Sequence, residues 1–342
     1  MEKDSRNDLR RRVSVLTPVH NTPIDLFKRA FESLKAQSFG FSDIEWIVLL
    51  HNCREEYEQA VIHLLHGCSN ICCRILHAEG TGVSYARNAT LRAAQGEYIF
   101  FLDADDEMKP DCIRRVVAEM DKSRASTAIF TAEVRSRNGA RTLYWTDTPA
   151  AVPSPLFERG DVRIGKSMCV SGMVLWARCY RRDLLEEKGI RFNEAFQYGE
   201  DYLFNIEATG AAERVCVLPD FCGYIYYAGL GMTNDMLETF RSRCSRGNLR
   251  EADGNHPGIF LQRLYRYGKT RGLDLTGFIW KQMAVFGWLI LFSDLPGKAK
   301  DEFAEAARYL ADTLCEPVME CRDRQKEMEE DVRFVRSFTH LE

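Results

Sequence analysis

Up to Lys122, apolar positions along the chain follow two alternating rhythms. Tyr98–Leu102 is a continuous apolar run with the length of a strand buried on both faces, Val13–Leu16 is a short β-rich run, Ile44–Leu50 reads as a second buried strand and Cys73–His77 as a third strand. Between them the spacing changes. Leu26, Phe27, Ala30, Phe31 and Leu34 form a helical stripe across Ile24–Gln37, and Tyr57–His66, Tyr85–Ala94 and Asp111–Lys122 read as further helices. Such alternation predicts an α/β unit with a mostly parallel, Rossmann-like central sheet and helices on both faces. Pro18 and Pro23 mark an exit from the first strand. Ser84 is placed to cap the third helix, and Gly96 to close it in a left-handed conformation.

After Lys122 the rhythm breaks. Thr127–Arg137 and Ala140–Thr146 flank Asn138-Gly139, a hairpin signal. Asp147–Gly165, with three prolines, reads as a surface loop. Ser171–Tyr180, Val215–Leu218 and Gly223–Tyr227 read as strands; Asp183–Lys188, closed by Gly189, and Tyr202–Ala211 read as helices. From Leu237 onward the pattern is helical. Phe278–Phe292 is apolar nearly all round but shorter than the roughly 20 residues of a membrane span. A buried helix is expected there, with an interfacial membrane contact as the alternative. Ala304–Glu330 is charged and helical, with a break at Pro317. The chain therefore divides into an arm (1–12), an α/β domain (13–230) and a helical region (231–342).

Composition narrows the class. With 45% hydrophobic and 28% charged residues, the 342-residue chain has ample core for a globular protein. A net charge of −4 argues against nucleic-acid binding by bulk electrostatics, while leaving room for a local basic pocket. The twelve cysteines show no C-x-x-C spacing, and the opening MEKDSRNDLRRR has no apolar leader. Reduced thiols and a cytoplasmic location are expected. Cys68, Cys72 and Cys73 near His63 and His66 match no zinc pattern and read as a helix end.

The chemistry concentrates in Gly96–Pro110, GEYIFFLDADDEMKP. A buried strand ending in Asp103, Asp105 and Asp106 delivers carboxylates to the sheet edge where open α/β folds bind ligands. Hard oxygen donors suit Mg²⁺ or Mn²⁺, with water and substrate phosphates completing the shell. The competing reading is an acidic turn in which Asp105 or Asp106 caps the helix near Pro110. Gly80 and Gly82 are a weak phosphate-loop signal that fits a tight turn equally well.

Taken in order, VSVLTPVHN (Val13–Asn21), Ile47–Cys53, GVSYARN (Gly82–Asn88), Gly96–Asp106, WARCYRRDL (Trp176–Leu184), Glu200-Asp201 and Tyr224–Tyr227 resemble the family 2 glycosyltransferases with the GT-A fold. The resemblance implies a metal-dependent, inverting transfer of sugar from a nucleotide-diphosphate donor, most simply a UDP-sugar. The acceptor would be a saccharide or lipid-linked saccharide, which suits work at the inner face of a membrane. Asp103-Ala104-Asp105 then stands for the family's D-x-D, with Asp103 and Asp105 at the metal. Pro18, His20, Asn21, His51, Asn52, Gly82, Arg87, Asp103 and Ala104 fall at donor-binding positions, and Asp201 beside Glu200 falls at the general base. Two bland readings stay open. Arg87 suits a structural ion pair with the aspartates as well as a phosphate, and acids at a helix start are common. One departure is plain: the second strand ends in Leu50-His51-Asn52-Cys53, where the family places an aspartate that reads uracil. That departure keeps a non-catalytic sugar-nucleotide binder in play. A sugar-nucleotidyltransferase is disfavoured because Val13–Asn21 holds no glycine.

Overall fold

The computed structural model describes residues 12–40, 43–66, 72–136, 139–144, 156–158, 174–196, 199–228, 257–272, 275–291, 297–314 and 322–339. The chain separates into two units, Met1–Gly160 with Gly172–Leu230, and Asp161–Ser171 with Gly231–Glu342.

The first unit is α/β. Strands β1 (Val13–Val19), β2 (Ile44–His51), β3 (Cys72–Ala78) and β4 (Tyr98–Phe101) are parallel and ordered β3-β2-β1-β4. Helices α1 (Ile24–Lys35), α2 (Glu55–His66) and α3 (Gly82–Ala93) make the crossovers. Beyond β4 the sheet becomes mixed. β9 (Arg178–Arg181) runs antiparallel between β4 and β6 (Thr127–Ser136), and β10 (Arg214–Ala228) runs parallel to β6. The short β5 (Glu107–Met108) closes the path, while β7 (Arg141–Tyr144) and β8 (Leu156–Glu158) pair with β6 and β10. Helices α4 (Cys112–Ser123), α5 (Arg182–Glu187) and α6 (Glu200–Ala211) complete the unit.

Alternation along the buried strands assigns the two faces. Val15, Trp46, Val48, Tyr98 and Phe100 pack with Phe27, Phe31, Val61 and Val116 of α1, α2 and α4. Leu16, Ile47, Ile99 and Phe101 pack on the other face with Leu91 of α3, Leu185 of α5 and Phe204 of α6. Phe27 and Phe31 both stack on Trp46, with centroids 5.7 and 5.5 Å away. A buried charge is also satisfied: Glu45 accepts bonds from Ser14 Oγ, Arg74 and the Gln95 N–H, each at 2.7–2.9 Å.

Several local expectations are corrected. Pro18 lies inside β1, not at an exit from it. β4 borders β1 only as far as Leu16↔Phe101, so beyond that point β1 has no strand on its β4 side to take the N–H that proline lacks. Ser84 sits within α3 and donates to the Phe196 carbonyl at 3.4 Å, while the residue preceding α3 is Thr81. Neither Asp105 nor Asp106 caps α4, whose N-terminal flank is Asp111. Of the predicted Ser171–Tyr180 strand, residues 171–173 lie outside the described residues, and 174–177 precede β9, with Ala177 left-handed at φ 60°. The two predicted strands at Val215 and Gly223 are one strand, bulged between Leu218 and Tyr224. Leu156–Glu158, expected in a loop, forms β8. The arm before Arg12, Cys68, Asn138, residues 237–256 and Pro317 lie outside the described residues.

Gly96 is not left-handed. It is a close-approach glycine, because a Cβ there would stand 2.5 Å from the Ser14 backbone nitrogen. Its own N–H donates to Ser14 Oγ at 2.8 Å. Gly96→Ala should therefore cost about 1–3 kcal/mol, the usual range for overpacking. Urea unfolding checks it, and an unchanged midpoint would mean β1 yields without cost.

The second unit is helical: α7 (Pro257–Arg271), α8 (Thr276–Leu291), α9 (Gly297–Thr313) and α10 (Arg322–Thr339). In α8, Phe278, Ile279, Trp280 and Met283 are buried, as expected of an internal helix. Gly287 lets α10 approach, since a Cβ would stand 2.8 Å from the Phe338 ring. No helix among the described residues is long and apolar enough to cross a membrane.

Candidate active site

The site begins where β4 runs out. The Leu102 N–H makes a last bond to the Leu16 carbonyl at 3.0 Å, and the chain then turns through Asp103–Asp106. β1 has β2 and β3 on one side and β4 on the other, so the strand order reverses at β1/β4. Open α/β sheets bind ligands at the carboxyl ends of strands beside such a reversal.

Arg87 reaches this turn from α3. Its Nη2 stands 3.7 Å from Asp103 Oδ1, and its Nη1 lies 2.9 Å from Glu200 Oε1 and 2.5 Å from Asp201 Oδ1. Gly199, left-handed at φ 73°, turns the chain so that Glu200 and Asp201 open α6. The next residue of α3 secures that approach. Asn88 donates to the Phe192 carbonyl and accepts the Phe192 N–H, both at 2.9 Å. Arg87 thus grips the carboxylates while Asn88 grips the segment leading to them. The ion-pair reading of Arg87 is the one the geometry displays.

The charges do not balance. Burial pulls the Arg87 guanidinium down, but Asp201, Asp103 and Glu200 together carry it above its ordinary value. Burial, opposed by Arg87 and reinforced by Asp105 and Asp201, pushes Asp103 up to about 6. Glu200 is driven well above the carboxylate range by burial and then by Asp201. Asp105 is raised by burial, and Asp106 well above its usual value by burial with Asp103 and Asp105 beside it. Carboxylates crowded and raised in this way mark a place short of positive charge. The donor set of Asp103 and Asp105 fits a hard divalent cation with few protein ligands. Among the described residues no cluster of three or more His, Cys, Asp or Glu is placed to hold a metal, so substrate and water oxygens would have to complete the shell.

A second group of predicted residues meets at the ends of β1 and β2. His20 Nδ1 lies 2.7 Å from the His51 carbonyl, and Asn21 Nδ2 donates to the Asn52 carbonyl at 3.4 Å. His51 Nε2 and Asn52 Nδ2 lie 3.2 and 2.9 Å from the Gly80 carbonyl. Asn21 and Asn52 are left-handed at φ 49° and 47°, a conformation asparagine tolerates. Pro18 faces Leu49 within the sheet. Gly82, at φ 84°, starts α3 with open space around it. Ala104 is buried in the core, so only its backbone is left for a ligand.

The pattern gave no sign of three further groups: the Tyr224 hydroxyl, the Tyr227 N–H and Arg29, all of which touch the aspartate turn. Tyr224 and Tyr227 lie in a word already singled out, but nothing local shows what their polar atoms meet.

The family model for glycosyl transferase family 2 matches residues 14–187. The succinoglycan biosynthesis protein ExoO of Rhizobium meliloti is 27% identical over 223 residues, covering 62% of this chain and 60% of that protein. The poly(ribitol-phosphate) beta-N-acetylglucosaminyltransferase TarS of Staphylococcus aureus is 23% identical over 280 residues, 77% of this chain and 46% of that protein. The chain thus spans about half to three-fifths of the length of these relatives. Among solved structures, TarS 1-349 aligns with a TM-score of 0.60 at 17% identity, covering 96% of this chain and 90% of that one. The same fragment in complex with UDP-GlcNAc gives 0.59 at 20% identity with the same coverage. The mannosyltransferase PcManGT of Pyrobaculum calidifontis, in complex with GDP-Man and Mn²⁺, gives 0.51 at 13% identity, covering 96% and 86%. These structural likenesses establish the GT-A fold.

Proposed function

This chain belongs to glycosyl transferase family 2, and on that premise we propose that it moves a sugar from a nucleotide-diphosphate donor, a UDP-sugar most simply, to a hydroxyl of a glycan or glycolipid acceptor. The observation that carries the reading is the gathering of Asp103, Glu200 and Asp201 on one arginine at the switch point of the sheet. Asp103 on Nη2, with Glu200 and Asp201 on Nη1, supports a base and a diphosphate side on opposite arms of Arg87.

The step is a single displacement. Asp201 takes the proton of the acceptor hydroxyl as its oxygen bonds to the anomeric carbon. The bond from that carbon to the diphosphate oxygen breaks, the electron pair leaves with the diphosphate, and the configuration inverts. A divalent cation, Mn²⁺ or Mg²⁺, held by Asp103 and Asp105 supplies, when bound, positive charge against the charge gathering on the diphosphate. Arg87 holds the Asp201 carboxylate in place through Nη1, which buried Glu200 shares. The sugar nucleotides named with the two aligned complexes support the donor class, and the polymers named with the relatives support a surface glycan as acceptor. An acceptor carried on lipid would bring the enzyme to a membrane surface.

A non-catalytic binder is the second reading. It is favoured by the end of β2, where His51 and Asn52 offer no carboxylate and lie against the Gly80 carbonyl. A screen of nucleotide sugars for thermal stabilisation with Mn²⁺, followed by a transfer and hydrolysis assay, separates the two. An enzyme turns over its stabilising donor with Mn²⁺ and stops in excess chelator. Normal turnover in chelator removes the metal role, and stabilisation without turnover leaves a binder.

A further inference from the structure

The turn that carries Asp103 and Asp105 is held from behind by a closed hydrogen-bond circuit. Tyr224 of β10, 0% exposed, accepts the Asp103 backbone N–H at 3.1 Å and donates its hydroxyl to Asp106 Oδ2 at 3.0 Å. The Asp106 N–H returns to the Asp103 carbonyl at 3.2 Å. The other carboxylate oxygen, Oδ1, accepts the Tyr227 N–H at 2.9 Å. Asp106 is 1% exposed and both its oxygens are taken, so the third aspartate of the turn is not arranged as a ligand.

The circuit fixes direction as well as distance. A tyrosine hydroxyl has one proton. Donating it to Asp106 turns an oxygen lone pair onto the Asp103 N–H. The ring is held too, lying flat against Trp176 with centroids 5.4 Å apart and planes 5° apart. β10 is in register with β5 immediately after the turn, Tyr224 opposite Met108 and Ile225 opposite Glu107. From the other side Arg29 of α1 donates to the Asp105 carbonyl, and its guanidinium carbon stands 3.5 Å from the Tyr227 ring centre. An acidic turn with no task beyond starting a helix needs none of this. Burying a carboxylate is costly, and hydrogen bonds offset that cost only in part.

We propose that Tyr224, oriented by the buried Asp106, is a positioning residue for the metal–diphosphate site, presetting the backbone from which Asp103 and Asp105 reach a divalent cation. The proposal rests on the reading of Asp103 and Asp105 as the cation's ligands. Its physical basis is general: partners behind metal ligands typically contribute about 10–100-fold in metal affinity by holding the ligands in place.

The test is Mn²⁺ binding by the full chain in the presence of uridine diphosphate, read from the paramagnetic signal of free Mn²⁺, so that no turnover is needed. Tyr224→Phe deletes the hydroxyl and keeps the ring on Trp176. Its Mn²⁺ dissociation constant should rise by about tenfold or more. Asp106→Asn, which keeps one acceptor oxygen, should give a smaller rise. Asp105→Ala should lose binding and serves as the reference. Native Mn²⁺ affinity in both Tyr224→Phe and Asp106→Asn overturns the proposal, and a lowered melting temperature with that unchanged affinity marks the two residues as purely structural. If Tyr224→Phe does not fold, Asp106→Asn decides alone: weakened binding supports the proposal and native affinity overturns it. If Asp105→Ala binds Mn²⁺ as the native chain does, the assignment of the metal ligands has failed, and the positioning role falls with it.

Discussion

Asp201→Asn should lower sugar transfer by roughly 10²–10⁴-fold, the contribution expected of a general base, while donor binding stays at the native level. Asparagine keeps the shape of the side chain and an oxygen for Arg87, so the contact at Nη1 survives and the start of α6 need not move. What disappears is the capacity to take a proton. Donor affinity should hold because Asp103 and Asp105 belong to the β4 turn, whereas Asp201 enters from α6. Glu200→Gln is the informative partner. Glu200 is buried against Arg87, and burial followed by Asp201 raises its carboxyl well above its ordinary value, so glutamine keeps its shape and an oxygen for the guanidinium at the smaller loss of charge. Its loss should leave most of the transfer rate. Transfer and donor binding measured on both variants decide the matter. Transfer that survives in Asp201→Asn but fails in Glu200→Gln means the pair is assigned the wrong way round, and transfer that survives in both places the base elsewhere.

Much of this site could be read from the chain because its parts are local. Tyr98–Leu102 is apolar without a break and buried on both faces, so strand, burial and carboxylates at the carboxyl end follow from one stretch. Glu200-Asp201 stood out as the acidic opening of a helix, and it is one. What escaped was set by partners far along the chain. Gly96 reads as a helix stop, yet its lack of a side chain answers to Ser14, 82 positions earlier. Pro18 reads as a strand exit, yet the proline is accommodated because β4 borders β1 only to Leu16. Ser84 reads as a cap, yet its hydroxyl is used on Phe196. Tyr224 lies in a recognisable word, yet nothing local shows what its hydroxyl does, since it meets residues 118 and 121 positions away. Arg87 shows the limit most clearly. A guanidinium suits carboxylate and phosphate alike, and only the fold brings Asp103, Glu200 and Asp201 to it from 16, 113 and 114 positions along the chain.

Arg87→Leu should be the most damaging single change in this site, and its damage should depend on pH. Removing the guanidinium leaves Asp103, Glu200 and Asp201 close together without their counter-charge. Breaking a buried pair in this way costs about 3–5 kcal/mol. The sign of the pH dependence follows from linkage. In the native chain Asp103 already stands at about 6, above the ordinary value near 4 of an unfolded aspartate. A carboxylate raised on folding destabilises the fold as pH climbs from its unfolded to its folded value, because the unfolded chain releases the proton first. Without Arg87 the raised carboxylates move higher still, so the variant should lose most stability at pH 8 and recover toward pH 5 as they take up protons. Arg87→Lys, which keeps the charge but not the fork, should fall between the two. Urea unfolding of the native chain and both variants at pH 5 and pH 8 measures this directly. A stability gap that is equal at both pH values, or wider at pH 5, would show that Arg87 acts by packing against Phe192, whose ring centre lies 5.5 Å from its guanidinium carbon, and not by charge.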